Sequence, residues 1–250
     1  MTLTFEPLRR AAAPAALAGA LLALPGLASA GAITSATANA LFSVFGLPTG
    51  VTAEYQFAAA QTNSSTTAGG NAVASTLQTP SADLTQNLAL NPFVEQDSQS
   101  EAMAYKNTAA KDAGSDAAAF LSNEGTILFA NTTGAPVDVT LNWQYFLNVS
   151  QTVTGLHSFA DAYARAEVLI SDFSSGLLIQ DTAEVEYPGA GILKVEDMGS
   201  ALLSVPAGGM SMVSVQLNTQ TNAEYVPLPA TTALLALGLF GLRSVRRRIA

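Results

Sequence analysis

The feature that most constrains the fold of this chain is a strict two-residue alternation of apolar and polar side chains from Val137 to Val149. The apolar positions are Val137, Val139, Leu141, Trp143, Tyr145, Leu147 and Val149, and Phe146 is the one apolar residue out of phase. Successive side chains of a strand point to opposite faces, so this pattern predicts a long strand with one buried and one solvated face. The phase of Trp143 places it in the core rather than on a sugar-stacking surface.

Similar patterns predict further strands. Alanines alternate with polar residues from Phe159 to Phe173, and the following Ser174-Ser175-Gly176 turn and residues 177–187 complete a predicted hairpin. Residues 210–218 form a predicted last strand. A strand over 125–130 precedes the loop 131–136, so it forms either a hairpin with the long strand or an adjacent strand. These elements predict an all-β antiparallel sandwich, jelly-roll-like or immunoglobulin-like.

The first third of the chain has weaker signals. Residues 51–60 fit a strand, whereas residues 61–80, rich in Asn, Ser, Thr and Gly, predict a long loop. Residues 101–120 fit either an alanine-rich helix or a pair of strands, because alanine is also the best helix former. We expect strands there, with a short helix as the alternative.

The C-terminal segment has three parts in a fixed order. They are the pentad Val226, Pro227, Leu228, Pro229 and Ala230, an uncharged apolar run to Leu242, and the basic residues Arg243, Arg246, Arg247 and Arg248. A helix over residues 228–242 would be about 22 Å long, shorter than the roughly 30 Å hydrocarbon core of a bilayer. It would span a membrane only marginally, and the arginines would hold its end on the cytoplasmic side.

These three parts resemble the PEP-CTERM sorting signal of Gram-negative bacteria. Leu228 stands where the commoner form of that signal has a glutamate, so the resemblance is to its VPLPA variant. It covers residues 226–250, a tenth of the chain. The resemblance implies recognition by an exosortase, an integral-membrane transpeptidase-like enzyme, and a transient anchor in the inner membrane. An ordinary C-terminal membrane helix without processing is the alternative.

The N-terminal segment predicts export independently. Arg9 and Arg10 precede an apolar run over residues 11–24, and Ala28-Ser29-Ala30 has the small-residue pattern of a signal-peptidase site. We expect a signal helix that signal peptidase removes after Ala30. The predicted organisation is a signal peptide over 1–30, an exported domain over 31–225 and a sorting segment over 226–250.

The predicted domain is strongly acidic. Residues 31–225 contain four Lys or Arg side chains and 18 of the 19 Asp and Glu side chains, a net charge of −14. Nucleic-acid binding requires clustered basic residues, so we exclude a nucleic-acid partner. The chain contains no cysteine, so no disulfide framework supports an exported fold.

The residues offer little catalytic chemistry. His157 is the only histidine, and no Gly-x-Ser-x-Gly nucleophile elbow is present, so we predict no catalytic residues and no metal site. Two carboxylates, Glu184 and Glu186, share a strand face, which is the minimum for a glycosidase and is also common on solvated faces. Calcium is the one cofactor left open. Its candidate ligands, Asp161, Asp172, Asp181 and Glu184, could converge across a hairpin, although no calcium-loop motif is present.

These observations predict a non-enzymatic exported protein. It would be anchored in the membrane during sorting and then retained at the cell surface or in the extracellular matrix, with exopolysaccharide as a partner. The alternative is a carbohydrate-binding or calcium-dependent adhesive module, which would require exposed aromatics on one sheet face or converging carboxylates in a loop.

Overall fold

A computed structural model describes residues 31–58, 60–66, 71–80, 84–105, 115–154, 158–173, 176–186 and 191–227. Within these ranges every regular element is a strand. The strands are β1 (Gly31–Val44), β2 (Val51–Phe57), β3 (Gln61–Thr66), β4 (Asn71–Thr79), β5 (Leu84–Asn87), β6 (Phe93–Tyr105), β7 (Ser115–Asn131), β8 (Val137–Thr154), β9 (Ser158–Asp172), β10 (Gly176–Glu186), β11 (Ile192–Val205) and β12 (Met210–Pro227). The predicted signal helix and C-terminal apolar helix lie outside the described residues. Among those described, no helix is long and apolar enough to cross a bilayer.

The strands form two antiparallel sheets. The first sheet has the order β11-β8-β1-β6-β4. The second has the order β10-β9-β12-β7-β2-β5, and β3 pairs with β7 beside β2. One hydrophobic cluster contains residues from both sheets, for example Phe42 and Leu147 of the first and Ile127 and Val215 of the second. The all-β, two-sheet prediction is therefore confirmed, and the arrangement is sandwich-like.

The alternation that predicted a long strand is confirmed in β8. Val139, Leu141, Tyr145, Leu147 and Val149 are buried on its inner face. Trp143 shares this face and packs against the core while remaining partly exposed. Its ring lies over Gly199 of β11, where a Cβ atom would come within 2.8 Å of the ring. A glycine is required there because any larger side chain would displace the indole.

Of the two alternatives for the strand over 125–130, the hairpin is wrong. β7 and β8 lie in different sheets, so they are not adjacent strands either; both contribute buried side chains to the shared core. Asn131 holds the connection in shape: its Nδ2 donates to the Ala135 carbonyl at 2.8 Å and to the Val205 carbonyl at 3.2 Å. Its Oδ1 accepts from the Thr133 N–H at 2.9 Å. The hairpin of β9 and β10, in contrast, is confirmed.

The predicted long loop over residues 61–80 is wrong. β3 pairs with β7 and β4 pairs with β6, so backbone hydrogen bonds to strands already in the sheets order a segment with few apolar side chains. The strand interpretation of residues 51–60 is confirmed by β2. For residues 101–120, the described parts are strands of β6 and β7, and residues 106–114 lie outside the described ranges.

The side chains that fill the core become smaller from one end of the sandwich to the other. At one end lies the large cluster of aliphatic and aromatic side chains. At the other end the inner faces are mostly alanine: Ala32, Ala102, Ala104, Ala117, Ala162 and Ala223. We call this second region the alanine end. The sheets approach closely there, since the Thr34 hydroxyl of the first sheet donates to the Asn222 carbonyl of the second at 3.2 Å.

A buried polar network joins the two sheets between these regions. Gln96 of β6 is fully buried, and its Nε2 donates to the backbone carbonyl and to Oδ1 of Asn123 in β7, at 2.9 and 3.1 Å. Its Oε1 accepts from the Tyr55 hydroxyl at 3.3 Å, and Asn123 Nδ2 donates back to the Asp97 carbonyl at 2.7 Å. Burial raises the pKa of Tyr55, so its hydroxyl remains a proton donor.

Both ends of the described chain lie at the alanine end. The first residue of β1, Gly31, pairs with Thr154 of β8, and the last residue of β12, Pro227, pairs with Ser158 of β9. Thr154 and Ser158 are joined by a short connection between the sheets. The entry and exit of the domain therefore lie at the same end of the sandwich, on an interior strand of each sheet.

The polar network gives a test of how the sheets are held together. Replacing Gln96 by Ala leaves the Tyr55 hydroxyl and the Asn123 carbonyl without their partner, and we expect a loss of about 1–3 kcal/mol in the free energy of unfolding. The matched control is Gln99→Ala, three residues along the same strand on its outer face, with an expected change within about 0.5 kcal/mol. Urea unfolding measures both, and equal losses would contradict the role given to Gln96.

Candidate functional site

The structure reaches only the first two residues of the predicted sorting motif. Val226 and Pro227 are the last residues of β12 and pair with Phe159 and Ser158 of β9. The described pairing of β12 with β7 ends at Tyr225, so among the described residues Pro227, which has no N–H, pairs with β9 alone. The remaining predicted residues of this site lie outside the described ranges: Leu228, Pro229, Ala230, Arg243, Arg246, Arg247, Arg248, Ala28 and Ala30.

The carboxylates considered for catalysis or calcium are dispersed. Glu184 and Glu186 share an exposed face of β10, as predicted from their spacing. Asp181, however, is on the opposite face of that strand and accepts a 2.7 Å hydrogen bond from the Tyr145 hydroxyl, whose pKa is raised by burial and by this bond. Asp172 is buried beside Ser211. Among the described residues no three His, Cys, Asp or Glu side chains are grouped to hold a metal, and His157 is not among them.

The best-organised polar surface is the outer face of the second sheet. Glu167 lies at its centre. The Glu167 carboxylate accepts hydrogen bonds from the Arg165 guanidinium, Gln180 Nε2 and Asn218 Nδ2, each at 3.2 Å. Gln216 Nε2 donates in turn to the Asn218 side-chain oxygen at 3.2 Å. Side chains from three adjacent strands, β10, β9 and β12, are thus fixed in one hydrogen-bonded row.

Arg165 stays charged in this setting. Burial alone would lower its pKa, but the neighbouring Glu167, Tyr163 and Glu184 together raise it. Its Nε atom is buried and has no hydrogen-bond partner within the described residues. The guanidinium therefore has an unused donor on a face that is otherwise well satisfied.

A shallow groove lies beside this row, and we call it the Phe120 groove. It has a volume of about 160 Å³ and includes Asn63 and Ser65 of β3, Phe120 of β7, and Gln220 and Asn222 of β12. Phe120 is 39% exposed, and the Asn222 side-chain oxygen is buried without a partner in the described chain. Amide donors and acceptors beside an exposed aromatic ring are the groups that bind sugar hydroxyls and the apolar face of a sugar ring.

Our sequence analysis did not identify Phe120, although a signal for it exists. Ala117, Ala119 and Leu121 form the buried phase of β7, so Phe120 falls on the outer face. Phe146 was recognised as the apolar exception in the polar phase of β8, and it is the equivalent on the first sheet. It pairs with Asn39 on one side and Glu196 on the other, and Lys194 Nζ lies 6.0 Å from its ring centroid. The outer face of each sheet therefore has an aromatic residue at a position where the strand pattern is otherwise polar.

The face around Phe146 is more acidic than the Phe120 groove. Asn39 donates from Nδ2 to Glu95 Oε1 at 3.3 Å and also to Asp97. Burial raises the pKa of Asp97, the Asn39 bond opposes this, and the charge of Glu95 adds to it. Carboxylates crowd this part of the first sheet, so it suits a neutral polysaccharide less well than the amide-rich groove.

The Asp97 pKa shift predicts a dependence of stability on pH. A carboxyl whose pKa is higher in the folded state binds its proton more tightly when folded, so its contribution to stability falls as pH rises from the unfolded value through the folded one. Asp97→Asn should therefore unfold at a higher urea concentration than the parent at neutral pH, and the difference should shrink as the pH is lowered toward about 4. The control is Asp138→Asn at an exposed position of the same sheet. If the difference in urea stability between Asp97→Asn and the parent did not change with pH, the raised pKa of Asp97 could not be its cause.

In comparisons with known proteins, no family model matches this chain and no curated protein is similar to it. The features of the molecule that bear on function are a sandwich whose two chain ends lie at the same end, and an amide-lined aromatic groove on the outer face of its second sheet.

Proposed function

We propose that this chain is a non-enzymatic exported protein that is sorted at the cell envelope and retained at the surface or in an exopolysaccharide matrix. The observation that carries the proposal is the position of the two chain ends. Gly31, which follows the predicted signal-peptidase site, and Pro227, which lies within the predicted sorting pentad, both lie at the alanine end. Signal peptidase and an exosortase would thus both act at this end of the sandwich, and the rest of the domain would stay clear of the bilayer.

The processing steps follow from this arrangement. The signal helix over residues 1–30 and the apolar helix after the pentad would each be membrane-inserted only during export and sorting, and removal of both would release or transfer the folded domain. The extended form of Val226 and Pro227 in β12 supports access by a peptide-cleaving enzyme to the residues that follow, because such enzymes bind extended substrates.

We also propose that the sandwich is jelly-roll-like rather than immunoglobulin-like. Only two connections, β2 to β3 and β9 to β10, join strands of the same sheet. The other described connections between successive strands pass from one sheet to the other. Repeated crossing is typical of double-sheet jelly rolls, whereas immunoglobulin-like sandwiches contain several hairpins within each sheet.

A carbohydrate-binding role is the second candidate, and the Phe120 groove favours it. The groove is too small for an enclosed ligand, since pockets for small molecules usually exceed about 300 Å³. It is open along the outer face of the sheet, which suits one unit of an extended neutral polysaccharide lying against Phe120. The side-chain amides of Asn63 and Gln220, which line the groove, would then bond to sugar hydroxyls.

The carbohydrate role predicts a specific loss of binding in Phe120→Ala. We expect affinity for the exopolysaccharide of the producing cell, or for a neutral glucan or mannan that binds the parent, to fall about 3- to 10-fold, because one ring contact is worth about 0.5–1.5 kcal/mol. Affinity electrophoresis measures this. Phe93→Ala is the matched control, since Phe93 is comparably exposed, at 45%, on the other sheet.

Three outcomes separate the candidates. Saturable binding lost only in Phe120→Ala supports the groove and excludes an inert matrix protein. Saturable binding abolished by a chelator would favour the calcium-dependent adhesive alternative. If the parent bound neither the exopolysaccharide of the producing cell nor a neutral glucan or mannan, the carbohydrate role would be excluded. The proposal of a sorted surface protein would then remain.

The sorting proposal predicts the ends of the mature protein. Mass spectrometry of the protein recovered from the producing cell should find an N-terminus at Gly31 and no peptide containing Arg246, Arg247 or Arg248. Deleting the exosortase should restore the arginine-rich peptide without changing the N-terminus, because signal peptidase acts separately. An intact C-terminus in cells with an active exosortase would show that residues 226–250 are an ordinary membrane anchor and not a sorting signal.

A further inference from the structure

The edge of the first sheet formed by β11 is long and regular. β11 pairs with β8 from Ile192 to Val205 without any shift in register, and no described strand pairs with its other side. The other described edges are shorter or irregular: β5 has four residues, β3 has six, β4 has nine, and β10 contains a register shift between Leu177 and Ile179. Short strands and bulges protect many sheet edges, and β11 has neither; its protection is limited to its charged residues and to Pro206, which follows the strand.

The direction of the free backbone groups on β11 can be assigned. The Gln151 N–H donates to the carbonyl of Gly191, its direct partner in the ladder, at 2.7 Å, so these two residues form a hydrogen-bonded pair. Hydrogen-bonded pairs alternate along an antiparallel ladder. Odd-numbered residues of β11 therefore bond to β8, and the even-numbered residues from 192 to 204 direct their N–H and C=O groups to the open edge. In agreement, the Met198 N–H is bonded to the Asp197 side chain at 2.8 Å and not to β8.

The side chains at this edge are exposed and include large apolar ones. Ile192, Met198 and Leu202 have exposed fractions of 65%, 70% and 70%. Lys194 is the only basic residue that the structure describes in the first sheet, and it shares the exposed outer face of β11 with Glu196. A lysine and a glutamate two residues apart on one strand face can be opposite each other when the strand meets a copy of itself.

We propose that β11 pairs antiparallel with β11 of a second copy of this chain, about a two-fold axis at Val195. This register places Lys194 opposite Glu196 and Ile192 opposite Met198, each pair occurring twice by symmetry. All four residues belong to the set whose backbone groups face the open edge, so each opposed pair would be hydrogen-bonded, with the Met198 N–H exchanging its bond to Asp197 for one to the Ile192 carbonyl of the second copy. Shifting the axis by one residue to either side would place Glu196 opposite itself or remove the lysine–glutamate pairs.

The pairing can be tested by disulfide formation, because the chain has no cysteine. In the proposed register Val195 faces its own copy in a non-hydrogen-bonded pair, with Cα atoms about 4.5 Å apart, inside the range of a disulfide. Leu193 lies on the same face, but its copy would be about four residues away, roughly 13 Å. In the full chain in detergent, mild oxidation should give a covalent dimer of Val195→Cys on a non-reducing gel and little dimer of Leu193→Cys.

Charge variants in the Val195→Cys background test the register itself. Lys194→Glu places glutamate opposite glutamate and should reduce the dimer fraction several-fold, and adding Glu196→Lys should restore it. Both residues are exposed, and circular dichroism verifies that the fold is retained. Equal crosslinking of Leu193→Cys and Val195→Cys, a single variant that crosslinks like the parent background, or a double variant that stays monomeric would each overturn the proposal.

Discussion

Burial of alternate side chains between the two sheets is the interaction on which the rest of this structure depends. No cysteine is available to link the strands covalently, so the domain relies on its core. The inner faces are filled by large side chains at one end and by alanine at the other, with the Gln96 network between them. The network satisfies polar groups that would otherwise be costly to bury, and it fixes β6 against β7 and β2.

This gradation explains why the chain ends are at the alanine end. Small side chains let the sheets approach until the Thr34 hydroxyl reaches a carbonyl of the opposite sheet, which brings β1 and β12 together. The connection held by Asn131 lies at the other end, beside the large side chains. Under the proposed sorting, an entry and an exit at one end would place both processing sites on the same side of the domain.

Period-two patterns made part of this fold predictable. β8, β9 and residues 213–217 of β12 have inner faces that are apolar over several consecutive positions, so these strands and their buried faces could be predicted from the sequence. β3 and β4 could not be predicted, because β3 has only polar side chains, the large apolar side chains of β4 are exposed, and the order of both strands comes from backbone pairing with distant strands. The partners of β7 and β8 were equally hidden, since alternation identifies a buried face and does not identify the sheet to which the strand belongs.

The only sequence signal for the Phe120 groove was an aromatic residue that interrupts the polar face of a strand. Phe120 and Phe146 each break the polar phase of an otherwise regular strand, and an aromatic ring left on a solvated face loses the burial that usually stabilises it. The neighbours that give Phe120 its groove come from β3 and β12, some 57 and 100 positions away in the chain, so spacing could not reveal them.

The antiparallel pairing proposed for β11 also bears on where copies could meet. A two-fold axis across antiparallel strands points the alanine ends of the two sandwiches in opposite directions. Two copies standing upright on one membrane could not satisfy this geometry, because both alanine ends would face the same bilayer. Copies released from the membrane, or copies on two facing surfaces, could adopt the opposite orientations that the pairing requires. Under the proposed sorting, the pairing would therefore be coupled to processing of the tail: removal of the anchor would allow the opposite orientations that β11 pairing needs, so assembly would follow sorting rather than precede it.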